Sequence, residues 1–352
     1  MKANVAGPMQ QQIEILNPID YVGWDELLAS NRECTFFHTS AWAKVLCQTY
    51  HYRPLYFTVL DNNKLLALFP IMEVKSMLTG VRGVSLPFTD YCEPINASGI
   101  ELLDIISFVA EYARKHHWKF IESRGGHYPG ETPSTSVCRH TLDLTLGVAE
   151  IFSRFDSSTK RNIKKSRREG VKVNICRSLD AIKKYYRLHC ITRKRHALPP
   201  QPGAFFRNIY EHVISKNLGF VALAFHGKTN IAGSIFFNFQ DKCSYKFGAS
   251  DYTYQHLRAN NLVMWEAIKW YAQNGYRSLC LGRTMLDNTG LRRFKTGWGV
   301  DEQIINYYKY DLRRDAFMAK TLHPKKAYRH IFGRMPIPLL RALGYLLYKH
   351  AG

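Results

Sequence analysis

Apolar residues recur along the chain with two periods, and the switches between them outline a repeated order of elements. LYFTVLDNNKLLALFPIMEV (55–74) alternates with period two, then come a Gly-rich turn, VSLPFTDYCEPI, the period-3.6 stretch ELLDIISFVAEYARKHHW and the apolar KFIESR. FVALAFHGKTNIAGSIFFNF (220–239), CSYKFGAS, NLVMWEAIKWYAQNGY and RSLCLGR repeat that order. Period two marks strands and period 3.6 an amphipathic helix, so each stretch reads as a hairpin, a further strand, a helix and a closing strand. The closing pieces YARKHHWKFIESR (112–124) and YAQNGYRSLCLGR (271–283) align without a gap and place Arg124 and Arg283 at equivalent strand ends. The expectation is a duplicated α/β unit: a first domain over 1–150, a second over 151–315, and a tail over 316–352.

Charge sharpens this picture. The 352 residues carry 49 Lys and Arg against 28 Asp and Glu, a net +21. Residues 154–195 hold 15 basic and 3 acidic side chains, and residues 316–352 hold 7 and 0. Two short segments thus hold most of the excess, and each is expected to meet an anion. A hydrophobic share of 46% excludes a disordered chain. The eight cysteines show no Cys-x-x-Cys pair and read as reduced thiols, so no metal site is expected. No secretory signal and no apolar run of membrane-spanning length appear, so the expected location is cytoplasmic; a monomer is expected. GxxxxGK[ST], GxGxxG after a strand, HExxH and GxSxG are absent, which removes the common phosphate-loop, dinucleotide, zinc-protease and serine-hydrolase classes.

Four segments carry candidate chemistry, each with a plainer reading beside it. SSTKRNIKKSRREGVKVNI (157–175) starts with capping residues and stops at Gly170; its helix would place Lys160, Lys164, Arg167 and Arg168 on one face. Like charges at that spacing repel, and an anionic partner would offset the cost; the alternative is a solvated linker helix. TRKRHALPPQPGAFF (192–206) sets Arg193, Arg195 and His196 before Pro199, Pro200 and Pro202, with Gln201 among them. Guanidinium groups on a stiff loop suit phosphate or carboxylate, although the segment is equally a helix stop. LGRTMLDNTGLRRFKTGWG (281–299) reads as a strand-end loop holding Arg283, Lys295, Phe294 and Trp298, or as a turn whose aromatics complete the core. The acid-free tail HPKKAYRHIFGRMPIPLLRALGYLLYKH (323–350) suits an interfacial helix at the inner membrane surface or a helix docked on the core.

Together FHTSAWAKVL (37–46), VSLPFTDYCEP (84–94), TKRNIKKSRREGVKV, TRKRHALPPQP, KFGAS (246–250), NNLVMWEAIKWYAQNGY and the closing FK-x-x-W-G element resemble the FemAB-type, peptidoglycan interpeptide-bridge transferases of the GNAT-like acyltransferase superfamily. The resemblance spans about residues 30–310. It implies two tandem GNAT-like domains, mixed sheets flanked by helices, and transfer of an acyl or aminoacyl group to an amine of a cell-envelope precursor. For bridge-forming members the donor is aminoacyl-tRNA. Lys295 matches the lysine of the FK element implicated in the family's active site. The glycine-bearing pyrophosphate loop of acetyl-CoA enzymes has no counterpart, since YQHLRANNLVMW contains no glycine, and no inserted coiled-coil arm is seen. Acyl-CoA and aminoacyl-tRNA therefore both stand as donors, with no bound cofactor expected.

Aminolysis of an ester or thioester needs a neutral amine, and for a lysine-like amine at pH 7 deprotonation costs roughly 4.6 kcal/mol. A general base recovers part of that. Asp90 is the first candidate, Glu93 and His196 the others; the plain reading of Asp90 is a turn cap. Lys295 would stabilise an oxyanion or bind an acceptor phosphate. Arg193, Arg195 and Arg283 would hold an anionic envelope precursor, Phe294 and Trp298 would shape its pocket, and His196, Gln201 and Tyr245 complete the binding set. Two other readings keep the residues: an acyl-CoA-dependent N-acyltransferase acting on an amino sugar of a polysaccharide or lipid, and a non-catalytic module binding anionic lipid or nucleic acid.

Overall fold

The computed structural model describes residues 13–96, 102–319 and 329–352. Among these, fourteen strands form one mixed sheet: β1 (Glu14–Leu16), β2 (Arg53–Asp61), β3 (Lys64–Ser76), β4 (Gly80–Val84), β5 (Ile95–Asn96), β6 (Phe120–Arg124), β7 (Thr135–Asp143), β8 (Lys172–Cys176), β9 (Gly219–His226), β10 (Thr229–Phe239), β11 (Lys242–Ser250), β12 (Ser278–Met285), β13 (Asp301–Asp311) and β14 (Ala316–Phe317). The main order is β1-β2-β3-β4-β6-β13-β7-β12-β11-β10-β9-β8, with β5 beside β3 and β14 beside β13.

The duplication is present. β2 and β3 form a hairpin, β4 follows, helix Leu102–Lys115 crosses over, and β6 returns parallel to β4. β9, β10, β11, helix Ala259–Gln273 and β12 repeat this, with β12 parallel to β11. The first hairpin turns on Asn62 and Asn63, both at positive φ, as a turn matched to strand twist requires. The halves share the sheet: β13, near the end of the described chain, lies between β6 and β7 and pairs with both.

Alternate strand residues feed opposite faces. On one face Phe36, Trp42, Phe205 and Phe237 interlock, with the Trp42 and Phe237 ring centroids 5.7 Å apart, so helices Ser40–Tyr50 and Gly203–His212 from the two halves close over one core. On the other face Phe236 joins Trp265, Phe155 and Trp298 under helix Ala259–Gln273, and Phe57 joins Trp118 under helix Leu102–Lys115. The tail helix Ile337–Leu347 buries Leu340 and Gly344 against the protein. Among the described residues no helix is long and apolar enough to cross a membrane, and the eight cysteines are free.

Candidate active site

β11 and β12 pair only over Lys242–Ser244 and Ser278–Cys280. Past those residues β11 keeps β10 as its partner, and β12 bulges between Cys280 and Arg283 before continuing along β7. Gly282 occupies the bulge at φ +72. A β-carbon there would sit 3.2 Å from Asp90 Oδ2, so glycine is what allows the Asp90 carboxylate to approach the strand.

Asp90 reaches this point from the loop after β4, in which Leu86 and Phe88 hold positive φ values of 50° and 62° without being glycine. The two equivalent arginines of the repeat hold the loop. Arg124 Nη1 donates to Leu86 O (3.3 Å) and Thr89 O (3.2 Å), and Arg283 Nε lies 3.9 Å from Asp90 Oδ1. Tyr307 of β13 donates its hydroxyl to the Asp90 carbonyl. Lys246 Nζ meets Asp90 Oδ2 at 2.9 Å, its ammonium 5.3 Å from the ring centroids of both Phe37 and Phe247. Burial acts to raise the Asp90 pKa, but Lys246 and then Arg283 outweigh it and hold the carboxyl below its usual range.

Beside Asp90 opens a cavity of about 480 Å³, with Glu93, Tyr91, Arg139, Phe36, Phe37 and Gly282 among its walls. Glu93 behaves oppositely to Asp90: burial pushes its pKa up, only partly countered by the Gly126 N–H that its Oε1 accepts at 3.1 Å. Buried His38, whose pKa burial pushes down to about 4, is neutral. Its partners fix the tautomer: Nε2 donates to Glu93 O (2.9 Å) and Nδ1 accepts from Thr35 N (3.1 Å). The Arg139 guanidinium stacks over Tyr91 at 4.6 Å and donates to Gln303 Oε1. Among the cavity's carboxyls, Glu93 is a better base than Asp90, which is the better counter-ion.

The expected site residues do not all converge. Asp90 and Arg283 meet as described. Lys295 is buried beneath them, Nζ donating to Gly282 O (2.8 Å) and Arg283 O (2.9 Å), and burial lowers its pKa to about 8 against the pull of Asp90. It lies under the bulge, not in the cavity wall. The expected loop around it contains a helix, Thr289–Thr296, capped by the Asn288 side chain. Trp298 is fully buried with its ring centroid 5.0 Å from that of Phe155, which makes it core, while Phe294 lines a separate hollow of about 200 Å³ beside Asn260 and Asn261. Tyr245 packs on Phe236, and burial raises its pKa to about 12.

Arg193 and Arg195 end the helix Leu179–Arg195 instead of riding on the proline loop, because cations suit a helix C-terminus. Arg193 turns to Pro199 O (3.1 Å) and the Tyr348 hydroxyl (2.6 Å), and Arg195 stacks on Tyr252 beside exposed His196. Gln201 is buried on His189, with Oε1 2.8 Å from Nε2. This group therefore stands apart from the cavity walls.

The basic helix Ser157–Arg168 forms as expected, with one change of face. Lys160, Arg161, Lys164, Lys165 and Arg168 line a groove of about 780 Å³, and Arg167 turns away to Glu266 at 2.9 Å. Arg258 joins the groove from the start of helix Ala259–Gln273, at a φ of 58° that glycine usually occupies.

Sequence reading missed Lys246, Tyr307, His38 and Arg139. A lysine between Tyr245 and Phe247 in an apolar strand was a visible signal for a buried partner; the other three depend on contacts between distant segments.

Two α/β units, each with a parallel strand pair spanned by a helix, and an acidic loop set into the splay of one pair, define the tandem GNAT-like fold. Residues 153–296 match the family model described as acetyltransferase (GNAT) domain. No curated protein matches this sequence. Among solved structures the chain is similar to FemX (TM-score 0.65, 12% identity, 86% of this chain and 98% of that one). It is also similar to L-PGS from Bacillus licheniformis (0.54, 12%, 92% and 95%) and to a tandem GNAT protein from the clavulanic acid biosynthesis pathway (0.52, 10%, 86% and 98%). At such identities the likeness is one of fold.

Proposed function

We propose that this protein transfers an acyl or aminoacyl group to an amine of an anionic cell-envelope precursor. The observation that carries this reading is the cavity at the β11/β12 splay, where Glu93, with a raised pKa, shares the wall with Asp90, itself paired with Lys246 and 3.9 Å from Arg283. The acceptor amine enters the cavity, and Glu93 takes its proton as nitrogen attacks the donor's carbonyl carbon. The carbon–oxygen or carbon–sulfur bond to the carrier then breaks, and the leaving oxygen or sulfur takes a proton. Arg139, in the cavity wall, supplies positive charge to the carbonyl oxygen as charge develops there, while Arg283 and Lys295 hold Asp90 and the bulge in place. Within the basic groove Arg161, Lys164 and Lys165 have no ion-pair partner among the described residues, which suits a phosphate-rich carrier such as tRNA or CoA.

A donor carried on CoA is favoured by the match of residues 153–296 to the GNAT domain model, and one carried on tRNA by the glycine-free turn before Ala259. Incubating the protein with an amine-bearing envelope precursor and each donor in turn, and following free thiol or deacylated tRNA together with the mass of the acceptor, separates the two. Failure of both donors to modify any amine acceptor overturns the proposal.

A further inference from the structure

The described tail has two unlike sides. Inward, Gly344 lies so close to Pro200 that a β-carbon would meet its carbonyl oxygen at 2.0 Å. Tyr348 packs on Phe88 with ring centroids 5.7 Å apart, and the Tyr52 hydroxyl bonds the Tyr348 and Lys349 carbonyls at 3.1 Å each. Outward, Ile331, Leu339, Tyr345, Leu346 and Leu347 are exposed, Tyr345 to 69%.

A second apolar pair stands in water at the turn between β3 and β4, where Met77 is 99% and Leu78 69% exposed. This turn adjoins the end of the tail. Ser76 Oγ lies 2.9 Å from His350 Nδ1, and Arg82 of β4 donates to the carbonyls of His350 and Gly352. Two segments far apart in sequence therefore expose apolar side chains at one corner of the molecule. The charges around them are of one sign. Arg334, Arg341 and Lys349 are exposed on the tail, Lys119 lies against Gly80 at the start of β4, and residues 316–352 contain no acid. The acid behind the turn, Glu73, is buried and pairs with Lys75 at 3.3 Å.

We propose that this corner docks on an anionic lipid bilayer, with Met77, Leu78 and the outer face of the tail helix entering the interfacial layer and the cations meeting headgroup phosphates. Charge selects this occupant: a second copy would bring the same acid-free surface and be repelled. The inner face of the docked element braces Phe88, two residues before Asp90, so the membrane contact and the candidate active site lie on either side of one aromatic pair.

The test is flotation of the full chain with vesicles of phosphatidylcholine alone and of phosphatidylcholine mixed with phosphatidylglycerol. Association is expected with the anionic vesicles only, weakening as salt rises. Arg334→Ala and Lys349→Ala should each lower partitioning roughly 5-fold. The combined Met77→Ser, Leu78→Ser, Leu346→Gln variant should lower it at least about 10-fold, with an unchanged urea melt because these side chains are solvent-exposed. The proposal is overturned by absence of binding, by equal binding to both vesicles, by unchanged partitioning of the combined variant, or by a dimer in sedimentation equilibrium that the same substitutions dissolve. No turnover enters the measurement, so it stands or falls independently of the proposed reaction.

Discussion

Replacing Asp90 by Asn should destabilise the protein far more than replacing Lys246 by Met, although the two side chains form one ion pair. At an effective dielectric near 20, unit charges 2.9 Å apart attract by about 6 kcal/mol, and the Arg283 contact at 3.9 Å adds about 4. Desolvation cancels much of this, and breaking a buried pair by removing one partner typically costs about 3–5 kcal/mol because the other charge is left uncompensated. The two substitutions differ in what they strand. Without Asp90, buried Lys246 and Lys295 and the half-exposed Arg283 face one another with no anion between them. Without Lys246, Asp90 keeps Arg283 and the nearby charge of Lys295. The expected losses are about 4 kcal/mol for Asp90→Asn and about 1–2 kcal/mol for Lys246→Met, the latter reduced further by the apolar fit of Met between Phe37 and Phe247. In the double variant the Met substitution should recover part of the Asn loss. Urea unfolding at pH 7, with midpoint and slope fitted separately, measures all three. A loss for Lys246→Met equal to or larger than that for Asp90→Asn, or strictly additive effects, would refute the picture of one anion serving several cations.

Other expectations follow from the same geometry. Glu93→Gln should cut turnover by about 10²–10⁴-fold with little change in stability, and the wild-type rate should rise with pH along a limb lying above the usual carboxylate range, as a raised base requires; a rate profile indifferent to this substitution would remove Glu93 from the reaction. His38, lowered to about 4, binds its proton more readily unfolded than folded, so its contribution is complete above the ordinary histidine pKa near 6.5 and fades as pH falls from there toward 4; the loss is about 3 kcal/mol, read as a falling urea midpoint that His38→Gln flattens. Trp298→Ala should cost about 3–5 kcal/mol in the same melt, as a core aromatic does. Changing Arg161, Lys164 and Lys165 to Ala should flatten the salt dependence of tRNA or CoA binding by up to about one unit of slope for each phosphate no longer neutralised, while leaving the melt in place.

What could be read from the sequence was whatever local periodicity encodes. The hairpins announced themselves because Phe57 and Phe236 alternate with residues facing the other core, and the Arg124/Arg283 equivalence survives as two arginines gripping one loop. Trp298 and Phe294 were open to two readings, as pocket walls or as aromatics completing the core; Trp298 takes the second, while Phe294 packs beside it and lines a hollow. The helical spacing of Leu291, Phe294 and Trp298 was the signal that the loop reading passed over. The proline segment misled for a related reason: three basic residues before prolines suit a helix end as well as a binding loop, and the helix Leu179–Arg195 absorbed them. The candidate site was the least legible part. Asp90 and Lys246 stand 156 residues apart, and Tyr307 lies 217 residues beyond Asp90, so only the assembled sheet brings them together.

The position of β13 has a consequence for synthesis of the chain. β6 and β7 are finished by residue 143, yet the strand that joins them begins at Asp301. At about 5–20 residues per second, the ribosome leaves those two edges unpaired for roughly eight to thirty seconds. During that interval they are open templates for a neighbouring nascent chain. Truncation before Asp301 would make the interval permanent, so the first half, expressed alone, should be recovered as aggregate instead of as a folded half-molecule.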